Sequence, residues 1–285
     1  MASTLWNELL GAEVRYYDAG GIRTRSIQAG SGMPVIMLHG GGGHAETFAR
    51  NIIPLSADFD ARAIDYYGHG LTGGDGRPPT MDVLVRHFID YLDAAGIERA
   101  HVVGESLGGA LAAWTAIEHP ERVGKVVYCV GAWLKIPDVD PEAQRATDAG
   151  LGEFRRLNEQ FAANPSRENI RLRLRWLFRK PDRDLSDELV DLRWALYEHA
   201  LGRQGTAGEE RRASHMLTPE NLARINVPTL FMWTDHNPSQ HLGIAKKAMT
   251  YVPDAEWALM EDSGHWPQWE HPEIFNQIVR DYLKS

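Results

Sequence analysis

Three short segments contain residues whose types and spacing suit nucleophilic catalysis. The first is Gly104-Glu105-Ser106-Leu107-Gly108, inside HVVGESLGGALAAW. An apolar run leads into it and an alanine-rich helical run leaves it. A strand-to-helix turn that tight tolerates only small flanking residues, and it lifts the serine hydroxyl above the sheet. Ser106 is therefore the candidate nucleophile. The N–H of Leu107, at a helix start, is a candidate donor to an oxyanion. A serine that merely caps an ordinary helix is the competing reading. The second segment, LHGGGGHAETF (38–48), follows an apolar run with consecutive glycines, which let backbone approach a ligand closely. Gly41 is the expected second oxyanion donor, with Gly42 beside it as a substrate contact. No Gly-Lys-Ser/Thr follows, which argues against a phosphate loop. The third, MEDSGHWPQWEHP (260–272), places His265 on a loop after the last apolar run. A general base enters there when the chain order is serine, acid, histidine. His44 and His69 sit in glycine-rich loops without metal-type spacing, so no metal is expected.

The elements that must carry these residues alternate. Continuous apolar runs occur at 34–40, 60–70, 100–106, 125–131, 227–234 and 255–265, each ending in turn residues. Runs apolar on both faces suit strands of a parallel sheet covered by helices. Between them, MDVLVRHFIDYLDAAG puts Val83, Leu84, His87, Phe88, Tyr91 and Leu92 on one stripe, with Gly96 as a stop. LGGALAAWTAIEHP and HPEIFNQIVRDYLKS also read as helices. The pattern predicts an α/β fold with a mostly parallel, doubly wound sheet. Residues 133–216 break the alternation with charged helical patterns. The expected organisation is a core from 1–132 and 217–285, with 133–216 a helical lid. GRQGTAGEE (202–210) reads as a mobile linker.

Composition narrows the class of function. A net charge of −9 argues against a nucleic-acid binder. The Arg-rich stretch RLRLRWLFRK (171–180) fits an amphipathic helix equally well. A single cysteine, Cys129 in an apolar run, rules out an internal disulfide and reads as a buried thiol. No apolar run reaches the roughly 18 residues of a membrane span. The N-terminus lacks the basic and apolar regions of a signal peptide, so a cytoplasmic location is expected.

The motifs HGGG, DYYGHG, GESLGG and SGHWP, in that order, resemble the α/β-hydrolases. Within them, GHWPQWEHPEIFNQIVRDYL and DLRWALYEH resemble the meta-cleavage product hydrolases, which split a C–C bond in 2-hydroxy-6-oxo-hexa-2,4-dienoates from aromatic degradation. The resemblance implies an α/β-hydrolase fold, a small-molecule dienoate substrate, no cofactor, and a homodimer. It implies that Arg193 binds the substrate carboxylate and that Trp266 lines the pocket. Arg193 suits that role because a guanidinium pairs bidentately with a carboxylate. A solvated arginine is the alternative. The resemblance also implies an aspartate after the 227–234 run, but that position holds Asn237. An Asp-to-Asn change in a serine triad costs about 10⁴-fold in rate. Asp235, two positions earlier, is therefore the expected orienting acid. Asn237 is the alternative, and Asp262 is a weaker third choice. Glu105 stands where family members carry a substrate-binding asparagine, and a carboxylate there would repel an anionic substrate unless paired or turned away. A carboxylesterase or lactonase using the same triad is the second functional reading. A binding protein with little catalysis, suggested by Asn237, is the third.

Overall fold

The computed structural model describes residues 4–200 and 215–285. Its strands are β1 (Glu13–Ala19), β2 (Ile22–Ala29), β3 (Pro34–Leu38), β4 (Asp60–Ile64), β5 (Ala100–Glu105), β6 (Val123–Cys129), β7 (Thr229–Thr234) and β8 (Ala255–Met260). They form one sheet in the order β1-β2-β4-β3-β5-β6-β7-β8. From β4 to β8 the neighbours run parallel, while β1 and β2 are antiparallel additions at one edge. The main helices are α1 (Ala49–Leu55), α2 (Met81–Ala94), α3 (Leu107–Glu118), α4 (Pro141–Ala163), α5 (Arg167–Leu177), α6 (Asp187–Ala200), α7 (Leu242–Met249) and α8 (Pro272–Lys284).

The central strands are apolar on both faces because both faces are covered. Val35, Ile36, Met37 and Leu38 of β3 are fully buried. Helix α2 buries Leu84, His87, Phe88, Tyr91 and Leu92, with Thr80 capping its first turn through a bond from Val83 N. His87 is a core histidine, its ring nitrogens meeting Thr24 Oγ1 at 2.8 Å and Tyr67 N at 3.2 Å.

The hairpin β1–β2 was not among the expected strands. Most of β1 is solvent-exposed, so it lacks an apolar run. Its turn was nonetheless encoded. Ala19 pairs with Ile22 across Gly20-Gly21, whose φ values of 60° and 87° suit a type I′ turn.

Helices α4, α5 and α6 lie between β6 and β7. Leu217 N donates to Trp133 O at 2.8 Å, and Lys135 N donates to Leu217 O at 3.1 Å. The chain therefore leaves and rejoins the sheet at one place. A second apolar cluster joins these helices, through Phe161, Ile170, Leu174, Leu189 and Val190, to Trp266 and Trp269 of the His265 loop. The expected linker at 202–210 lies outside the described residues. Among the described residues no helix is long and apolar enough to cross a membrane.

A buried ion network fixes the far end of the glycine loop. The Arg25 guanidinium donates to Glu46 at 2.7 and 2.8 Å and to Asp65 at 2.6 Å. Asp65 in turn accepts from the N–H of Ala45 at 2.7 Å and Leu71 at 2.8 Å. Removing one member of such a group leaves buried charges uncompensated. Arg25→Met should lower stability by about 3–5 kcal/mol, read as a fall in the urea midpoint.

Candidate active site

Strand β5 ends at Glu105, and α3 begins at Leu107, so Ser106 alone makes the turn. Its φ of 52° and ψ of −114° are strained for a side-chain-bearing residue, at a cost of about 1–3 kcal/mol. The surroundings hold it there. Ser106 N donates to Cys129 O at 3.0 Å, and its carbonyl accepts from Ala132 N at 2.9 Å and Ala110 N at 3.1 Å. The flanking glycines are obligatory. A Cβ at 104 would lie 2.2 Å from Gly108 O, and one at 108 would lie 2.1 Å from Leu38 O. Leu38 of β3 pairs with Gly104 of β5, so the glycine loop starts beside the turn. A Cβ at Gly41 would be 3.7 Å from Leu107 Cδ2, which makes the two expected oxyanion donors neighbours. Leu107 N, the first amide of α3, has no acceptor one turn earlier in its own helix.

His265 reaches the same place on a loop pinned from several sides. Its main-chain N donates to Leu177 O at 2.6 Å at the end of α5. Thr234 Oγ1 donates to Gly264 O at 2.7 Å, and Gly264 N donates to Glu270 Oε1 at 2.9 Å. The ring is enclosed, and Trp176 of α5 lies 6.3 Å from it. Burial lowers the His265 pKa to about 4, so the imidazole is neutral at physiological pH. Nδ1 lies 2.8 Å from Asn237 Oδ1. That oxygen also accepts from Ser239 N at 3.1 Å and from Ser239 Oγ at 2.9 Å. Because the main-chain N–H can only donate, the amide oxygen faces the ring and Nδ1 carries the hydrogen. Nε2 lies 3.3 Å from Glu105 Oε1. Among the described residues Ser106 Oγ makes no hydrogen bond to the ring. The imidazole does, however, stand against the residue that precedes Ser106.

The expected acid is corrected. Asp235 does not meet His265; its carboxylate accepts from Asp262 N at 3.0 Å and Ser263 N at 3.2 Å. The chain turns at Asp235–His236 instead of continuing extended, so residues 235 and 237 do not share a side. Asn237 is the residue at Nδ1. Asp262 is no candidate either, since its side chain pairs with Lys180 at the surface.

Glu105 is neither turned away nor paired with an arginine. Its side chain is 1% exposed, and neither carboxyl oxygen has a hydrogen-bond partner among the described residues. A Cβ on Gly40 would fall 2.5 Å from Oε2, so the carboxyl group packs directly on the glycine loop. Burial pushes its pKa up to about 8. The wrong residue type for the expected asparagine was legible in the sequence; the contact with His265 was not.

Arg193 of α6 donates through Nη1 to Gly42 O, and its guanidinium lies 5.4 Å from the Trp266 ring. Its Nε is buried without a partner, and among the described residues Arg193 has no ion pair. Burial and the nearby Arg173 lower its pKa to about 10. Trp266 is 3% exposed and packs on Phe178 and Trp269. Gly42, Arg193 and Trp266 are thus brought together. His44 bonds to Glu46 and His69 to Tyr67 O, both inside the core. Among the described residues, Asp82, Glu118 and His215 form one group with metal-ligand chemistry, near the surface. Glu118 closes α3, about 18 Å from its start at 1.5 Å per residue.

The parallel sheet, the strained serine between glycines and the loop-borne histidine define an α/β-hydrolase. Known proteins agree. The model of the alpha/beta hydrolase family matches residues 35–278. A 2-hydroxy-6-oxo-6-phenylhexa-2,4-dienoate hydrolase of Comamonas testosteroni is 32% identical over 270 residues, covering 90% of each chain. A 2-hydroxy-6-oxononadienedioate/2-hydroxy-6-oxononatrienedioate hydrolase of the same species is 32% identical over 285 residues, again covering 90% of each. The meta-cleavage product hydrolase of Pseudomonas fluorescens IP01 superposes with a TM-score of 0.78 at 26% identity, covering 96% of this chain and 98% of that one. The chain belongs to the alpha/beta hydrolase family, and it is an enzyme of the kind its relatives represent.

Two substitutions separate the roles of the residues after β7. Asp235→Ala should cost about 1–3 kcal/mol of stability by freeing two loop amides, yet leave turnover within about tenfold of the parent. Asn237→Ala should lower kcat by a larger factor, because the ring loses its Nδ1 partner. Equal kcat losses in both would contradict this assignment. Acid should also weaken the fold through His265. An unfolded histidine titrates near 6.5 but the folded one near 4, so the unfolded chain binds the proton first. Stability present above pH 6.5 is then lost as the pH falls towards 4, and His265→Gln should flatten that part of a urea-midpoint profile.

Proposed function

We propose that this enzyme hydrolyses a C–C bond in a 2-hydroxy-6-oxo-hexa-2,4-dienoate-type ring-cleavage product. The observation that carries this reading is Arg193, a guanidinium with a buried, unpartnered Nε beside the glycine loop and Trp266. A half-buried cation whose Nε is enclosed and which has no carboxylate partner among the described residues suits an anionic substrate better than a neutral ester. The substrate carboxylate replaces the Gly42 carbonyl as the partner of Arg193. The C6 ketone then lies at Ser106, with its oxygen towards the N–H groups of Leu107 and Gly41. Helices α4–α6 form the lid over it.

In the reaction, the dienol first becomes its keto tautomer. Ser106 Oγ attacks C6 and gives its proton to His265. The C5–C6 bond breaks, with its electron pair leaving on the dienolate fragment, which takes up a proton. Water then hydrolyses the acyl-serine. The products are a 2-hydroxypentadienoate and a carboxylic acid. Each step is acid–base or acyl chemistry, so no cofactor is required. The relatives named above for dienoate hydrolysis support the same substrate class.

Bleaching of 2-hydroxy-6-oxo-6-phenylhexa-2,4-dienoate tests the proposal. The parent should remove the colour, Ser106→Ala should not, and Arg193→Leu should raise KM at least tenfold. Rapid turnover of p-nitrophenyl esters with no bleaching would replace the proposal with a carboxylesterase.

A further inference from the structure

Among the described residues Glu105 is the one carboxyl group that touches the candidate base, and it does so at the nitrogen that must accept the serine proton. Asn237 holds the opposite nitrogen with an amide oxygen. An amide orients the ring but brings no negative charge to an imidazolium. We infer that Glu105 and His265 share one proton and act as a single acid–base unit, with Glu105 supplying the charge that Asn237 lacks. The inference builds on the serine chemistry proposed above.

The energetics favour one proton for the pair. An ionised carboxylate in a closed site costs several kcal/mol, as does an unpaired imidazolium, and the nearby Gly40 main-chain N–H and Arg193 offset only part of that cost at Glu105. Both are avoided if Glu105 is a neutral acid at rest, facing the Nε2 lone pair at 3.3 Å. Burial alone pushes the two groups in that direction, Glu105 up and His265 down. The groups around the pair do not supply a competing proton. Tyr66, after β4, and Cys129, at the end of β6, are both held neutral by burial. Asn237 and Ser239 do not titrate, and Trp176 of α5 is apolar on this side. Arg193 of α6 is charged near neutral pH and moderates the rise at Glu105. The contact lacks hydrogen-bond geometry in the resting protein, as catalytic contacts often do before substrate tightens them.

The proton balance follows. The pair first gives its proton to the substrate enolate, forming a C–H bond in the keto tautomer and leaving a carboxylate beside a neutral imidazole. The Ser106 O–H bond then breaks, Oγ bonds to the carbonyl carbon, and the proton moves to Nε2. The imidazolium so formed lies against the Glu105 carboxylate. Cleavage of the C–C bond consumes that proton on the departing fragment. Water then adds to the acyl carbon through Nε2; as the C–Oγ bond breaks, one water proton returns to Ser106 Oγ, the other returns to the pair, and the acid leaves as its carboxylate.

The test compares the parent with Glu105→Gln, Glu105→Asp and Glu105→Gln/Asn237→Asp. Infrared spectra should show a carboxylic-acid C=O band in the parent that is lost as the pH rises past about 8 and is missing in Glu105→Gln. Glu270, which burial raises to about 7, contributes a second band that the variant retains. Glu105→Gln should lower kcat on the phenyl dienoate by about 10²–10⁴-fold and abolish the alkaline limb of the kcat profile. Adding Asn237→Asp should restore at least tenfold, because a carboxylate then meets Nδ1. If Glu105→Gln does not fold, the Glu105→Asp spectrum decides: its band should shift, and the alkaline limb should move. Unchanged turnover and pH profile in Glu105→Gln, or a parent without the Glu105 band, would overturn the inference. Should the parent bleach no dienoate, the substrate reading fails, whereas the infrared band and the pH profile of p-nitrophenyl acetate hydrolysis still judge the pair.

Discussion

A serine with positive φ, with a glycine two positions away on either side, is the constraint from which the rest of the site follows. With Cβ positions at 104 and 108 falling 2.2 and 2.1 Å from main-chain oxygens, β3, β5 and α3 pack closer than any other residue would allow. The closeness has a chemical result. It sets the glycine loop against the first turn of α3, so Gly41 and Leu107, from two distant parts of the chain, lie side by side next to the Ser106 turn. The strain of about 1–3 kcal/mol at Ser106 persists because bonds to Cys129, Ala132 and Ala110 fix its main chain on both sides.

Charge is sorted around this point. The ion network of Arg25, Glu46 and Asp65 is buried but satisfied, and it anchors the glycine loop from behind. At the catalytic face the groups are buried and unsatisfied: both oxygens of Glu105, Nε of Arg193 and Nδ2 of Asn237. A satisfied network rigidifies, whereas unsatisfied groups in a low-dielectric site change protonation or wait for a ligand. Buried polar atoms without a partner also occur elsewhere, at Gln268 and Tyr282 among others, so what marks the His265 site is that a carboxyl group, a guanidinium and an amide in this state lie together around one imidazole.

Much of this was legible in the sequence, for physical reasons that also mark where legibility ended. Continuous apolar runs revealed the parallel strands because both faces are buried. The exposed β1 carried no such run, and only the Gly20-Gly21 turn betrayed its hairpin. Ser106, Gly41, Leu107 and His265 stand out as candidates in the sequence because sharp turns leave glycine signatures. Asp235 matches the expected acid only if the chain stays extended after β7, and the turn at Asp235–His236 instead directs its carboxylate onto the amides of residues 262 and 263. Glu105 was flagged as out of place, but no pattern along the chain reports that a side chain from β5 touches a ring 160 positions later.

The placement of Asn237 makes sense if the histidine is to have a single acidic partner. Its oxygen takes three donors, from the ring, Ser239 N and Ser239 Oγ, while its Nδ2 is buried without a partner. An aspartate there would accept the same three bonds, but its second oxygen would lie where nothing donates to it. With Glu105 already buried at the other edge of the imidazole, a second carboxylate would place two acids around one histidine, and their repulsion would force at least one to stay protonated. One acid at Nε2 and an amide at Nδ1 keep the same ring orientation with a single titrating partner. The departures at positions 105 and 237 are then one arrangement seen at both edges of the ring: the charge has moved across it, and the amide marks the side it left.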